Sequence, residues 1–322
     1  MKRTLPALLA LLLLLSGCTP PPSATSAASP TPSPTGAANA PITLTDSTGQ
    51  TVALAAPPKT VVGLSSSMAE IWLLAGGILA GTTDDAVNER GLDVGDAVIV
   101  GTIKKPSVEA ILALEPDLVI TSADIEGHVE AAALLTEGGI PCYAAKVEQF
   151  SDYLKVLEDF TALTGRKDLY EQNGIAVQGQ IDGLRVRVPA GETPPTALYL
   201  RAYSSGVKVK ARDNVACDIL ADVGVVNVAD GNSALEELSM EAIVSADPDF
   251  IFVVTMGDEQ AAIDELDRTL RSNPAWDGLS AVQAGHFYIL PKELFHYKPN
   301  AKWGEAYEYL LHILWPGTYP EA

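Results

Sequence analysis

One segment of the sequence occurs twice, as SVEAILALEPDLVI at residues 107–120 and, 132 positions later, as SMEAIVSADPDFIF at residues 239–252. Each copy begins with a serine that can cap a helix and places a glutamate in the first helical turn. A Pro-Asp pair then precedes a run of apolar residues typical of a buried strand. The copies are identical or conservative at nearly every position. We therefore expect a duplicated helix–strand unit and two lobes of like architecture.

Short apolar strands alternate with helices around both copies. Residues 42–54 alternate apolar and polar side chains around the turn DSTG at 46–49, which predicts a β-hairpin. Residues 60–64 and 117–121 are typical of buried strands, and serines at 65–67 can cap the helix that follows the first of them. This alternation predicts an α/β fold around largely parallel sheets.

The region between the two copies is strongly helical. Apolar side chains recur at 4-3-4-3-4 spacing from Tyr170 to Val188, and Pro189 ends the pattern. About 21 residues at ~1.5 Å each give roughly 30 Å, enough to run from one lobe to the other. A shorter predicted helix, Ser151 to Leu163, precedes it. Glycine costs a helix about 1 kcal/mol, so we expect close packing where glycines lie in the long helix, at Gly174, Gly179 and Gly183.

The N-terminus has the pattern of a secretory signal. Met1-Lys2-Arg3 supplies positive charge, residues 5–15 are apolar, and small residues lead to Cys18. Residues 19–41 are almost entirely Pro, Ser, Thr, Ala and Gly, which predicts a disordered tether. The expected organisation is a signal peptide at 1–17, a tether at 18–41, an N-terminal lobe at 42–150, a helical linker at 151–189 and a C-terminal lobe at 190–322.

The chain is strongly acidic, with 41 acidic and 21 basic side chains and a formal net charge of −20. This charge argues against a nucleic-acid partner and against electrostatic adhesion to anionic lipid. The four histidines are scattered, so no directly bound metal is expected. The sequence has no nucleophile-elbow, P-loop or Gly-x-Gly-x-x-Gly motif, so no enzyme is expected. Two interpretations stay open for Cys142 and Cys217, namely a disulfide or two buried free thiols.

Taken together, these motifs resemble the substrate-binding proteins of ABC importers for siderophores, haem and cobalamin. The resemblance covers about residues 42–316 and is carried by PKTVVGLS at 58–65, by EAILALEPDLV at 109–119, and by the segments around Trp276 and Phe287. It implies an α/β fold of two Rossmann-like lobes with central, mostly parallel sheets. One long rigid α-helix is expected to join the lobes, with a ligand cleft between them.

The resemblance also implies a function. The LSGC ending at Cys18 resembles the lipobox of bacterial lipoproteins, so Cys18 is expected to carry a lipid that anchors the protein outside the cell membrane. Glu109 and Glu241 are expected to meet arginines of a permease dimer that works with ATPase subunits. The expected function is capture of a ferric siderophore or haem by a monomer without a cofactor, and delivery to that permease. A cobalamin-binding protein and a non-transport ligand sensor are the alternatives.

Ligands of open α/β sheets bind beyond the carboxyl ends of the strands, and an anionic ligand of an acidic protein needs a local set of cations. Ferric siderophores and haem carry such negative charge and cobalamin carries much less, so both rank above cobalamin. A siderophore is favoured over haem because the histidine count is low and no histidine matches a haem-ligand motif. Alternating Lys208, Lys210 and Arg212 also fit the solvent face of a strand, and Met68 also fits a core position. The candidate ligand-binding residues are Ser66, Met68, Lys104, Lys105, Arg201, Tyr203, Lys208, Lys210, Arg212, His296, Tyr297 and Lys298.

Overall fold

The computed structural model describes residues 41–191 and 193–320. The predicted signal peptide, Cys18 and the predicted tether up to residue 40 therefore lie outside the described residues. The described residues belong to one compact unit. No helix within this part of the chain is long and apolar enough to cross a membrane.

The N-terminal lobe is built around a five-stranded parallel sheet. The predicted hairpin precedes it and is confirmed, since Ile42 on the first strand lies opposite Leu54 on the second. The strands are β1 (Ile42–Thr45), β2 (Thr51–Leu54), β3 (Val61–Gly63), β4 (Gly81–Thr82), β5 (Val98–Ile99), β6 (Gly101–Thr102), β7 (Lys105–Pro106), β8 (Leu118–Ser122) and β9 (Cys142–Ala145). The spatial order is β5-β4-β3-β8-β9, and β6 pairs separately with β7.

Helices connect these strands, as parallel pairing requires. They are α1 (Ser66–Leu74), α2 (Asp85–Asn88), α3 (Val108–Leu112), α4 (Glu126–Glu137) and α5 (Phe150–Thr164). Helix α5 packs against α1, and the rings of Trp72 and Phe160 meet edge to face with their centroids 5.5 Å apart. The shorter of the two predicted linker helices is therefore part of the N-terminal lobe's packing.

The predicted long helix is present, with a change of pitch inside it. It runs through α6 (Lys167–Tyr170), a π-helical turn (Glu171–Ile175) and α7 (Ala176–Arg185), roughly 28 Å in all. At Gly174 a Cβ atom would lie 3.0 Å from Leu154 and 3.2 Å from Leu157, so the helix approaches α5 closely there. Nothing lies within 4 Å of the corresponding point at Gly179 or Gly183. The expectation of close packing is confirmed at Gly174 and wrong at the other two.

The C-terminal lobe repeats the plan with a mixed sheet. Its strands are β10 (Thr196–Tyr203), β11 (Gly206–Val209), β12 (Val226–Asn227), β13 (Phe250–Thr255) and β14 (Phe287–Ile289), in the order β11-β10-β13-β14 with β12 beside the start of β10. Only the edge strand β11 is antiparallel to its neighbour among these described strands. The helices are α8 (Val215–Asp222), α9 (Ser233–Glu236), α10 (Met240–Ala246), α11 (Glu259–Leu266), α12 (Ser280–Gln283), α13 (Lys292–Phe295) and α14 (Trp303–Leu314). A π-helical turn at Asp267–Arg271 extends α11, and short 3₁₀ turns lie at Trp276–Gly278 and Asn300–Lys302.

The duplicated stretch forms the same local structure in both lobes. The Ser107 hydroxyl accepts a hydrogen bond from the backbone of α3 at 3.2 Å, and the Ser239 hydroxyl accepts one from α10 at 3.4 Å. After each helix the chain turns through a left-handed residue, Glu115 with φ 49° and Asp247 with φ 37°. The prediction of a repeated helix–strand unit with serine caps is confirmed.

The aspartate of each Pro-Asp pair ties its unit to the neighbouring strand. The Asp117 carboxylate accepts hydrogen bonds from the backbone N–H of Lys59 and Thr60 at 2.8 and 3.0 Å, just before β3. The Asp249 carboxylate accepts one from Thr196 at 2.8 Å, at the start of β10. These backbone donors hold the pKa of Asp117 below its usual value. The sequence repeat therefore marks a repeated junction between strands that are adjacent in space.

One apolar core runs through both lobes. It joins Leu118 of the N-terminal sheet, Val177 and Ile181 of α7, and Tyr199 and Phe252 of the C-terminal sheet. Helix α14 closes this core by packing against α7 and α8. Close-packed protein interiors deform little. The shared core therefore fixes the two lobes relative to one another, in addition to the long helix that joins them.

Candidate functional site

Arg201 is the first cation in the region where the sequence predicts the ligand cleft, near the carboxyl end of a strand. It lies on the inner strand β10, and its neighbours Leu200 and Ala202 belong to the C-terminal core on the opposite face of the sheet. The Nε atom of Arg201 is buried and has no hydrogen-bond partner among the residues of the structure described above. A buried polar group without a partner costs about 1–3 kcal/mol. Arg201 is therefore a donor that a bound acceptor can satisfy.

Lys298 is the second cation and lies on another segment, near enough to Arg201 for the two charges to repel. Burial lowers the pKa of Lys298, and repulsion from Arg201 lowers it further, while Asp124 and Glu148 oppose this shift. Asp124 follows β8 and Glu148 follows β9, so the opposing carboxylates come from the N-terminal lobe. Within the described ranges neither Lys298 nor Arg201 has a carboxylate within ion-pair distance. We call these two side chains the cleft cation pair.

His296 borders the cleft cation pair as a neutral ring. Its Nδ1 lies 3.2 Å from the carbonyl oxygen of Thr255, so this nitrogen must carry the proton and donate. Burial lowers the pKa of His296, the carbonyl contact opposes that shift, and the charges of Lys292 and Arg201 lower the pKa further. The remaining nitrogen, Nε2, is then an acceptor or a potential ligand atom.

A network of side chains, which we call the interlobe clamp, fixes the backbone beneath Lys298. Arg90 of the N-terminal lobe pairs with Glu70 on α1, with both side chains largely buried at 9% and 22% exposure. The same guanidinium donates to the carbonyl oxygen of Lys298 at 2.7 Å and to the Ser67 hydroxyl at 3.3 Å. The Asn300 amide donates to the Ser67 carbonyl at 2.9 Å and to Glu70 at 2.5 Å.

The interlobe clamp joins parts of the chain that are far apart in sequence. Asn300 is fully buried with a left-handed φ of 52°, a conformation that asparagine tolerates better than most residues. The Arg90 guanidinium also lies 5.6 Å from the ring centre of Tyr297, whose hydroxyl donates to Glu89 at 3.4 Å. The clamp therefore places Lys298 in the cleft by holding its backbone against the first turn of α1.

The structure places the remaining N-terminal candidates at different depths. The Ser66 backbone N–H donates to Asp85 at 2.7 Å in a buried site. Met68 is 3% exposed and packs in the core, the alternative that its pattern left open. Lys104 is exposed on the turn between β6 and β7, and Lys105 is exposed at the start of β7. Neither lysine forms an ion pair with another described residue.

The remaining basic candidates of the C-terminal lobe lie on strand β11 or in the residues that follow it. Lys208 is directly opposite Arg201 in the register of β10 and β11, and its ammonium lies 5.9 Å from the ring centre of Tyr203. Lys210 follows, half-buried, opposite Tyr199. Arg212 is exposed and donates twice to Asp230 at 2.8 Å, so its charge is already matched. Their contact with a ligand stays a prediction, as it does for every candidate.

Asp218 on α8 is an acidic group that sequence reasoning passed over. Burial raises its pKa to about 6, with Glu148 and Asp213 raising it and Lys298 lowering it. One carboxylate oxygen is buried with no partner in the described structure. Beside it a cavity of about 670 Å³ opens between Gln149 and α8. Asp218 therefore belongs to the electrostatic surroundings of the cleft cation pair.

The sequence also gave no prediction for three residues of the interlobe clamp, which are Arg90, Glu70 and Asn300. Arg90 follows a short helix and carries no periodic or motif signal, and Glu70 looks like any polar position on a helix. Asn300 alone offered a hint, because asparagine after proline favours a turn. Their importance depends on contacts between distant segments, which no local pattern reports.

Both remaining cysteines are free thiols in the structure. Cys142 is half-buried on β9, and Cys217 is buried on α8. Burial raises the pKa of both. No group of three or more His, Cys, Asp or Glu residues arranged to hold a metal ion occurs in residues 41–191 and 193–320.

Glu109 and Glu241 lie outside the cleft, on the helices of the duplicated units. Both are exposed, in the first turn of α3 and of α10. Neither forms an ion pair with another described residue. Their contact with a permease stays a prediction.

Comparison with known proteins matches the chain to binding proteins. A family model described as periplasmic binding protein matches residues 61–294. The Fe(3+)-citrate-binding protein YfmC of Bacillus subtilis is 25% identical over 201 residues, which cover 60% of this chain and 59% of YfmC. The chain thus spans about three fifths of the length of that relative.

Two further matches cover more of the chain. A Bacillus subtilis protein provisionally named an ABC transporter substrate-binding lipoprotein, YhfQ, is 24% identical over 261 residues, or 74% of this chain and 77% of YhfQ. The crystal structure of Staphylococcus aureus SirA complexed with staphyloferrin B superposes with a TM-score of 0.68 and 19% identity, covering 85% of this chain and 98% of SirA. This structural match confirms the predicted fold of two lobes joined by a helix.

Proposed function

Because the chain belongs to the periplasmic binding protein family, we propose that it is the extracytoplasmic substrate-binding component of an ABC importer and captures an anionic iron complex between its lobes. The cleft cation pair carries this proposal. In a chain with a formal net charge of −20, Arg201 and Lys298 are near enough for their charges to repel, and neither has a carboxylate within ion-pair distance in the described structure.

Electrostatics explains why such a pair points to an anion. Two like charges that approach one another in a partly desolvated site repel, and burial penalises each of them. A bound anion relieves the repulsion, satisfies the buried Nε of Arg201 and replaces the lost hydration. The same anion is repelled by the acidic exterior, so affinity must come from the cleft itself.

An iron chelate is the class of anion that the relatives support. YfmC is named for ferric citrate and SirA was crystallised with staphyloferrin B. We therefore place ferric siderophores and ferric citrate first. Haem is the second candidate, because the neutral His296 has its Nδ1 proton engaged by Thr255 and leaves Nε2 as a possible axial ligand. Cobalamin ranks third, because it offers much less negative charge to the cleft cation pair, and a non-transport sensor is the last alternative.

The proposal extends to partners and location. The ligand passes to a permease dimer with its ATPase subunits, the binding protein works as a monomer without a cofactor, and it performs no catalysis. The lipobox-like LSGC sequence and the match to a provisionally named lipoprotein support a lipid at Cys18 that holds the protein at the outer face of the cell membrane.

Titration of the purified protein with ferric citrate tests the cleft, with tryptophan fluorescence as the signal. Arg201→Met and Lys298→Met should each weaken binding about 10- to 100-fold, the equivalent of ~1.5–3 kcal/mol for a lost charge-assisted hydrogen bond. The matched control, Arg268→Met, removes an exposed cation already paired with Glu265 and should bind as the wild type does.

Two more readouts separate the alternatives. Since the pKa of Lys298 is lowered, its ammonium is lost earlier than usual as the pH rises, so wild-type affinity should fall in the alkaline range and Lys298→Met should lack this fall. A parallel haem titration, followed at the Soret band, should depend on His296 if haem is the ligand. Ferric citrate binding that is unaffected by both cleft substitutions would show that the anion lies elsewhere.

A further inference from the structure

The two copies of the duplicated unit have the same pattern of exposure, residue by residue. From Glu109 to Val119 in the first copy and from Glu241 to Ile251 in the second, every exposed, half-buried and buried position coincides. Six of these eleven positions carry different but mostly similar residues, so the shared pattern reflects the shared surroundings of the two helices as well as their similar sequences. Any surface feature that recurs at one position in both copies belongs to this common design.

One recurring feature is a large aliphatic side chain left in solvent. Leu112 on α3 is 45% exposed, and Val244 at the equivalent position of α10 is 43% exposed. Each lies three residues after an exposed glutamate, Glu109 or Glu241, and residues three apart share a helix face. Each lobe therefore presents the same pair, one carboxylate and one aliphatic group, on one short helix.

Packing within the protein does not explain the exposed positions of Leu112 and Val244. The intervening Ile111 and Ile243 are fully buried and already anchor the two helices to their lobes. Leu112 and Val244 belong to none of the apolar cores formed by the described residues. An exposed aliphatic residue on its own is ordinary, but the same exposure beside an unpaired carboxylate at equivalent positions of two copies is a repeated surface.

We infer that Leu112 and Val244 are the apolar half of a two-part docking surface for the membrane dimer of the importer. This inference rests on the proposed function. The complementary partner has two like sites, each a cation that meets Glu109 or Glu241 and an adjoining apolar recess that receives the aliphatic side chain. A dimer of like subunits supplies two such sites, and the shared core of the two lobes holds the two pairs in a fixed relation.

The aliphatic groups and the carboxylates have different tasks. Exposed charges speed encounter and orient the partners, but solvent and salt weaken them once bound. Apolar side chains that enter a recess slow dissociation and discriminate a matching recess from a flat surface. The apolar half is therefore the part that should distinguish this importer from others with similarly placed cations.

The test compares variants for binding and for transport. The double variant Leu112→Ser/Val244→Ser replaces the chromosomal copy in the cells that make this protein, and uptake of ⁵⁵Fe(III)-citrate is measured. The control Ile78→Ser/Val186→Ser removes two aliphatic side chains that are more exposed, at 80% and 83%, and lie outside the duplicated units. Glu109→Gln/Glu241→Gln is measured beside them, and each purified protein is titrated with ferric citrate.

The expected result is at least a tenfold loss of uptake for Leu112→Ser/Val244→Ser, with ferric citrate affinity within twofold of the wild type and the control transporting normally. Raised salt should reduce uptake further in this variant, since it then relies on its carboxylates alone, and should affect Glu109→Gln/Glu241→Gln less. Leu112→Gln/Val244→Thr, which keep more of the side-chain volume, should give the same direction of change if the serine variant folds poorly.

Two outcomes count against the inference in distinguishable ways. If Leu112→Ser/Val244→Ser transports as the control does, the apolar half is wrong and the proposed function stands. If the wild type neither binds ferric citrate nor supports its uptake above a deletion strain, the proposed iron-import function fails and the docking inference fails with it.

Discussion

Removal of Arg90 should show how much the interlobe clamp contributes. Arg90→Met deletes the ion pair with Glu70, the hydrogen bond to the Lys298 carbonyl at 2.7 Å and the one to Ser67 at 3.3 Å. Breaking a buried ion pair by removing one partner costs about 3–5 kcal/mol, because the other charge is left without compensation. In this variant Glu70 still accepts the hydrogen bond from the Asn300 amide at 2.5 Å, and its side chain is 22% exposed to solvent. The lower end of this energy range therefore applies. We expect the free energy of unfolding to fall by about 3 kcal/mol.

Urea denaturation followed by tryptophan fluorescence measures this loss, with Arg268→Met as the control for an exposed ion pair. The second variant, Arg90→Met/Glu70→Gln, also removes the stranded charge and should recover at least ~1 kcal/mol of the loss, since non-additivity identifies coupled partners. Ferric citrate affinity should fall in Arg90→Met as well, because the Lys298 backbone loses its support. An unfolding free energy for Arg90→Met equal to that of Arg268→Met, or strict additivity of the double variant, would refute the clamp.

Two further predictions concern acid titration and anchoring. Burial raises the pKa of Asp218 in the folded state to about 6, above the usual value of an aspartate. The charged carboxylate therefore destabilises the fold above pH ~6, and the neutral form does not below pH ~4. Asp218→Asn should therefore raise the unfolding free energy by about 1 kcal/mol near pH 7.5, a value reduced for solvent screening of a half-buried group, and should not change it near pH 4. The control Asp277→Asn, at an exposed position, should leave the unfolding free energy unchanged at both pH values. Equal effects of Asp218→Asn at the two pH values would contradict this prediction. Cys18→Ala should release the protein from the membrane fraction, and a variant that resists a salt wash would rule out a lipid at Cys18.

Much of the local structure was predictable because its causes lie within a few residues. The hairpin from Ile42 to Leu54, the serine caps and the helix–strand order follow from side-chain alternation, hydrogen bonds spanning three positions and the duplicated motif. The long helix was expected, but its π-helical turn and the open space around Gly179 and Gly183 were not. A glycine lowers the stability of a helix, but the sequence does not show whether a neighbouring group packs against that glycine.

The candidate site was less predictable than the fold. Composition and strand order predicted twelve ligand-binding residues, and only two of them form the cleft cation pair. Arg212 has a carboxylate partner, Met68 is a core residue and Lys104 lies on an exposed turn. Whether a basic side chain is available to an anion depends on which carboxylates lie near it, and sequence spacing does not report that.

By itself, the sequence determined that the chain has two lobes of one design. It also placed Glu109 and Glu241 at equivalent positions, because a duplicated motif repeats its local hydrogen bonds wherever it occurs. Tertiary structure alone decided that Arg201 and Lys298 lie close enough for their charges to repel and that Arg90 holds the Lys298 carbonyl. Arg90 and Lys298 are 208 positions apart. Helical and strand periodicity act over a few residues, whereas contact across such a distance requires the whole core to pack first.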